Sequence, residues 1–185
     1  WFYQKHFKEF DEKNGTPCDT IGVYPHHSIL ALVNTPFDVT PVNPAEVMPR
    51  QMRDTQWGFF AFRNRWQDEN DIVISQLTQK TQAYKPHGPD KQMAVWHHGK
   101  RESWGCLPAK PSHWQPAADG SAIVGSGDTW LAIDFSGASG ADGMLVQVGG
   151  GASGKSVNAG GKTFCFKFLT AGAEPEPKVE GDKVV

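Results

Sequence analysis

The sequence predicts a mainly β protein, an antiparallel β-sandwich preceded by one or two short helices. After position 57 the chain contains a series of short apolar stretches, each bounded by Gly, Pro, Asp or Asn. Within residues 129–135 and 162–169 the side chains also alternate with the period of a strand. Repeated short strands with turn signals between them are typical of a sandwich or a barrel. The candidate strands are residues 57–66, 71–79, 91–97, 121–125, 128–135, 142–149 and 162–170.

The helical part of the prediction falls in the first 50 residues. Aromatic side chains recur at helical spacing over residues 1–13, and an Asn-Gly stop signal follows them. Residues 25–34 indicate a second short helix, with a buried strand as the alternative. Residues 35–50 contain four prolines and no clear period, which favours an irregular linker. The predicted domains are therefore residues 1–50, helical remnant and linker, and residues 51–185, the sandwich.

The connections in the second domain include three long predicted loops. These are residues 86–90, 105–118 and 149–161, the last of them rich in Gly, Ser and Ala and expected to be mobile. After an acidic, proline-containing break, residues 178–185 resume a strand-turn-strand pattern.

Composition limits the classes of function. Eighteen basic and 20 acidic residues give a formal net charge of −2, with none of the clustered positive charge that nucleic-acid binding uses. No stretch of about twenty apolar residues occurs, so we predict no membrane span and no membrane partner. The cysteines, Cys18, Cys106 and Cys165, are compatible with one disulfide and a free thiol or with three thiols. Since the chain does not begin with Met, we interpret it as a piece of a longer protein.

One candidate site is the segment from Trp96 to Trp104, at the predicted end of a strand. It gathers two imidazoles, two cations and a carboxylate, among them His97, His98 and Glu102. Cations could neutralise the carboxylate of an acidic sugar, and a histidine could move a proton near neutral pH. The alternative is that both tryptophans belong to the core and that the charged residues form a solvated turn.

Arg63 and Arg65 form a second candidate site, because both lie on one face of the same predicted strand. A guanidinium binds two oxygens of a carboxylate or sulfate at once. The alternative is a structural role, in which each arginine pairs with Asp68, Glu69 or Asp71. No segment has the spacing of a metal or nucleotide site, so we predict no metal and no cofactor.

A series of segments near the start of the β region has a familiar pattern. It comprises Asn43-Pro-Ala-Glu-Val-Met-Pro49, Asp54, Phe62-Arg-Asn-Arg-Trp66 and Asp68-Glu-Asn-Asp-Ile-Val73. Together they resemble the entry to the C-terminal domain of heparinase II/III-like polysaccharide lyases. Members of that family typically join an α/α-toroid to a large antiparallel β-sandwich. The resemblance implies that residues 1–50 end a truncated toroid, and that the parent cleaves acidic polysaccharide by elimination in the periplasm or outside the cell.

The resemblance also implies roles for individual residues. A His-Gly-His-like segment of the family matches His98-Gly99-Lys100, where lysine replaces the second histidine. Taking the residues and the resemblance together, we predict His97 and His98 as catalytic residues and Arg63, Arg65, Lys100, Glu102 and Trp104 as substrate-binding residues. Because the toroid supplies much of the family's site, we expect this chain alone to have little or no lyase activity. The alternative function is a non-catalytic carbohydrate-binding or structural module with a platform of exposed tryptophans.

Overall fold

The computed structural model describes residues 38–40, 42–78, 90–105, 111–137, 141–152, 154–180 and 183–184. The helices predicted over residues 1–13 and 25–34 lie outside these ranges. The chain divides into two units, Trp1–Met48 and Pro49–Val185. Among the described residues no helix is long and apolar enough to cross a membrane.

A short helix, α1, lies at Pro44–Val47 in the first unit, where the sequence predicted only an irregular linker. The side chain of Asn43 accepts a hydrogen bond of 3.0 Å from the backbone N–H of Ala45. Asn is a favoured N-cap, and Pro at the first position is already set to a helical φ. The N-cap and the proline therefore favour a helix here, although its four residues show no helical pattern of apolar side chains.

Two antiparallel sheets and a small hairpin make up the described part of the second unit. The first sheet has the order β1-β2-β3-β4-β5, with β1 Gln51–Asp54, β2 Phe59–Arg63, β3 Val73–Leu77, β4 Met93–His97 and β5 Lys100–Trp104. The second has the order β10-β11-β9-β8-β7-β6, with β6 His113–Pro116, β7 Ala122–Ser126, β8 Thr129–Asp134, β9 Gly143–Val148, β10 Lys155–Ala159 and β11 Lys162–Leu169. The hairpin pairs β12 Val179–Glu180 with β13 Lys183–Val184.

The apolar side chains of the two sheets form a single core. The first sheet contributes Phe60, Phe62, Ile74, Met93, Val95 and Trp104, and Ile72 precedes β3. The second contributes Ala122, Val124, Leu131, Ile133, Leu145 and Leu169, and Phe135 follows β8. Two antiparallel sheets that share a core are the arrangement of a β-sandwich, so the predicted fold class is confirmed.

Each predicted strand corresponds to an observed strand, but the predicted long loops were partly wrong. Residues 105–118 contain β6, and residues 149–161 contain β10, which pairs with β11 along its whole length. Residues 155–159 of the third predicted loop are therefore a paired strand and not part of a loop. The strand-turn-strand pattern expected near the end of the chain is present as β12 and β13.

The face of strand β11 that points toward the core contains both apolar and charged side chains. Leu169 is fully buried in the core, and Cys165, a free thiol, packs against it. Lys167 lies between these two residues on the same face, because side chains alternate along a strand. The three phenylalanines of β11 lie on the opposite face, beside Met144, Val146 and Val148 of β9. This orientation brings a lysine to the space between the sheets.

Candidate functional site

The turn between β4 and β5 positions both histidines predicted as catalytic. Its central residues, His98 and Gly99, have φ values of +49° and +70°. Positive φ at both positions is what a two-residue type I′ hairpin requires. The backbone N–H of Gly99 donates a 2.7 Å hydrogen bond to the carbonyl of Glu69, so the turn is fixed against the loop that precedes β3.

His97 belongs to an ionic network between the two sheets. Its ring is buried, with only 5% of the residue exposed, and its Nε2 lies 3.2 Å from Glu102 Oε1. The other oxygen of Glu102 pairs with Lys167 Nζ from the second sheet. Among the described residues, His97 Nδ1 is buried without a hydrogen-bond partner. The network Lys167–Glu102–His97 therefore connects the inner faces of β11, β5 and β4.

The surroundings set the charge of this network. Burial lowers the pKa of His97, and this effect outweighs the hydrogen bond and charge of Glu102, which raise it. The hydrogen bond from Lys167 lowers the pKa of Glu102, and His97 adds to that effect. At neutral pH the network consequently contains a neutral imidazole beside an ion pair.

His98 also faces a carboxylate. Its Nε2 lies 3.3 Å from Asp142 Oδ1, and 9% of its side chain is exposed. The rings of His97 and His98 are nearly perpendicular, with centroids 5.6 Å apart. Both imidazoles thus lie largely inside the protein beside acidic side chains, whereas Lys100, beyond the turn, is exposed.

We expect acid to destabilise the domain through this network. The folded pKa of His97 lies below its ordinary value of 6.5, so the unfolded chain takes up the proton first as the pH falls. The free energy of unfolding is therefore highest above the ordinary pKa of His97 and decreases as the pH falls below it. Glu102 adds a further loss below its ordinary value of 4.5, since its folded pKa is also lowered. Urea unfolding between neutral and mildly acidic pH measures the effect.

The matched variants for this measurement are His97→Gln and His113→Gln. A glutamine at position 97 keeps a hydrogen-bonding side chain near Glu102 but does not titrate, so the loss of stability between neutral and mildly acidic pH should shrink. His113→Gln, in β6, removes a histidine outside the network and serves as the control. An equal pH dependence in the wild-type protein and His97→Gln would contradict the expectation.

Arg63 and Arg65 converge on one buried carboxylate. Arg63 NH2 lies 2.9 Å from Asp71 Oδ2, and Arg65 Nε lies 3.1 Å from Asp71 Oδ1. Asp71 also accepts hydrogen bonds from the backbone N–H groups of Gln67 and Asp68. Burial lowers the pKa of Arg63, opposed by the charge of Asp71. The two arginines therefore hold the β2–β3 loop, the structural alternative that the sequence left open.

Trp104 has a different place from the one predicted. It is 2% exposed and belongs to the core, so its ring offers no face to a ligand. The physical reason is the register of the β4–β5 hairpin, in which Trp104 is directly opposite the buried Met93. The predicted substrate-binding role of Trp104 is corrected to a core role.

The outer side of the first sheet has an exposed aromatic and cationic surface, which we call the Trp96 face. Trp96 is 46% exposed, and the guanidinium of Arg101 lies 5.4 Å from its ring centroid. Strand pairing places Arg63, Val73, Trp96 and Arg101 in one row across β2 to β5. The guanidinium of Arg63 lies 3.7 Å from the ring centroid of Trp66, which completes the face.

The alternative prediction of a platform of exposed tryptophans included Trp96, and the alternation of side chains along β4 explains its exposure. Val95 and His97 point inward, so Trp96 between them must point outward, and Arg101 is its direct partner in β5. Lys100 and Glu102, by contrast, share the inner side of β5 with Trp104.

No family model matches the chain, and the comparisons with curated proteins and with solved structures also found no match. The resemblance to heparinase II/III-like lyases therefore stays a prediction from residues 43–73. Within the described ranges, no group of His, Cys, Asp and Glu is arranged to hold a metal ion.

Proposed function

We propose that this domain is a non-catalytic module that binds acidic polysaccharide on the Trp96 face. The observation that supports the proposal is the exposure of Trp96 beside Arg101. An indole offers a large apolar face with a polar edge, and such a face can stack against the C–H side of a sugar ring. A guanidinium next to it can bind the carboxylate or sulfate of the same sugar in a bidentate manner.

The two arginines of the row contribute unequally. Arg101 is exposed and forms no ion pair within the described ranges, so its charge is available to a ligand. Arg63 lies about 10 Å from Trp96 across two strand spacings, and Asp71 already pairs with it. Arg101 is accordingly the main anion-binding residue, while Arg63 and Trp66 extend the surface along the row.

A lyase role has weaker support from the geometry. The residues predicted as acid and base, His97 and His98, are largely inside the protein, and their Nε2 atoms lie beside Glu102 and Asp142. A general base must reach the proton that it removes, either directly or through one water. Eliminative cleavage by the parent protein stays a prediction from the resemblance.

The experiment is a binding titration with heparan sulfate, alginate and ulvan, with an uncharged glucan as the reference ligand. Trp96→Ala and Arg101→Ala should each weaken binding of the acidic chains by about tenfold or more, a loss typical of a central binding residue. Added salt should weaken binding by the wild-type protein and have less effect on Arg101→Ala, because one charge contact is gone.

Trp57→Ala is the matched control, because Trp57 is also exposed, at 43%, but lies outside the Trp96 face. Equal losses in Trp57→Ala and Trp96→Ala, or equal binding of the uncharged glucan, would contradict the proposal. Incubation with the same acidic chains, followed by absorbance of an unsaturated uronate product, tests the lyase prediction. Turnover that His97→Gln abolishes would replace the binding module with an enzyme.

A further inference from the structure

A cavity of about 250 Å³ lies at the β1 edge of the first sheet, opposite the edge formed by β5, where β1 and β2 approach β6. The residues that matter for its chemistry are Arg53, Asp54, Phe60, Thr78 and Trp114. Pockets for drug-sized ligands span roughly 300–1,000 Å³, so the volume suits a smaller molecule.

The walls of this cavity are held in place by contacts of their own. Phe60 is buried and meets Trp114 edge to face, with ring centroids 5.9 Å apart. Trp114 also stacks on Phe62 at 4.9 Å. The N–H and hydroxyl of Thr78 both donate to the carbonyl of Gly58, at 2.6 and 2.7 Å, and join the end of β3 to the β1–β2 turn. A ligand would therefore meet a Trp114 side chain whose position is already fixed by Phe60 and Phe62.

Arg53 supplies a cation to this aromatic space. Its guanidinium lies 4.7 Å from the ring centroid of Trp114, and its NH2 donates to the carbonyl of Pro111 at 3.3 Å. It forms no ion pair within the described ranges of the chain. A guanidinium held over an indole, with part of its fork uncommitted, is arranged to receive a carboxylate.

The second charged residue of the cavity limits the charge of the ligand. Asp54 Oδ1 accepts hydrogen bonds of 2.8 Å from the backbone N–H groups of both Gln56 and Trp57. A polyanion entering the cavity would be repelled by Asp54, whereas one carboxylate can be directed to Arg53 and away from Asp54.

We infer that this cavity binds a small aromatic monocarboxylate, with its carboxylate on Arg53 and its ring against Trp114. The site is separate from the Trp96 face, which lies on the outer side of the first sheet. It takes a different ligand class, a single small anion in place of an acidic polymer. Failure of either proposal leaves the other standing.

The test is an NMR titration of the protein with benzoate, with benzamide as the uncharged probe. Benzoate should shift the amide signals of Gly58 and Thr78 and the indole N–H of Trp114, and benzamide should bind at least about tenfold more weakly, because it lacks the charge-assisted hydrogen bonds. Arg53→Gln should cause a similar loss for benzoate. Arg50→Gln, a neighbouring arginine outside the cavity, should cause none.

A further variant distinguishes a carboxylate ligand from a zwitterion. Asp54→Asn keeps the Oδ1 acceptor for the turn and removes the negative charge, so benzoate should bind more tightly. Free phenylalanine is the zwitterionic probe. If it bound more tightly than benzoate, and if Asp54→Asn weakened the binding of phenylalanine, the assigned ligand class would be wrong. Equal binding of benzoate and benzamide, no shifts at millimolar benzoate, or no effect of Arg53→Gln in a folded protein would overturn the site itself.

Discussion

Replacing Trp104 by alanine is expected to lower the free energy of unfolding by about 3–5 kcal/mol, the usual cost of removing a large aromatic side chain from a core. Trp104 is 2% exposed and ends the edge strand β5, where it closes the core beside Met93. Its removal would leave a cavity between the sheets that neighbouring side chains cannot fill without shifting. Urea denaturation followed by circular dichroism measures the change.

Trp96→Ala is the control for this measurement, because the same residue type is changed one strand away at an exposed position. Its unfolding free energy should change by about 0.5 kcal/mol or less, while its glycan binding should be reduced. Trp104→Ala should therefore lower stability, whereas Trp96→Ala should lower glycan binding. A Trp104→Ala protein as stable as the wild type would contradict the core role of Trp104.

Replacing Asp71 by asparagine is expected to cost about 2–4 kcal/mol, because breaking a buried ion pair leaves its partners uncompensated. Asp71 is 6% exposed and serves both arginines as well as two backbone N–H groups. An amide can accept on one side only, so its NH2 group would face a donor. The arginine side chains are about one-fifth exposed, which lets water offset part of the loss.

Asp68→Asn provides the comparison for Asp71→Asn. The side chain of Asp68 is 51% exposed and pairs with Arg65 at the surface, where an ion pair contributes about 1 kcal/mol or less. The two variants make the same chemical change three residues apart in one loop. If both lost the same stability, the β2–β3 loop would not depend on the buried carboxylate.

The strands that the sequence missed have one property in common. They are β1, β5, β6 and β10, the outermost strands of the two sheets. An edge strand pairs on one side only and often contains charged residues or proline that prevent further pairing. Strand β5 contains Lys100, Arg101 and Glu102, and β6 ends in Pro116. Apolar alternation therefore detected the central strands and could not detect the edges.

The candidate sites were predictable only where neighbours in sequence are neighbours in space. His97 and Glu102 meet because one hairpin brings them together. The contact of Glu102 with Lys167 depends on which face of β11 turns inward. The three phenylalanines on the other face of β11 would wrongly predict that their face is the inner one. The cavity beside Arg53 joins β1 to β6 across the sandwich, a contact that no local pattern in the chain records.

The arrangement of strands has a consequence for how the domain folds. In the part of the chain that the structure describes, all strands of the first sheet lie within residues 51–104 and all strands of the second within residues 113–169. Nearly all pairings are consequently local along the chain, which keeps the entropy of closing loops small. Each sheet still exposes an apolar face until it packs against the other. We therefore expect neither sheet to be stable alone, and we expect the packing of the two sheets to limit the rate of folding.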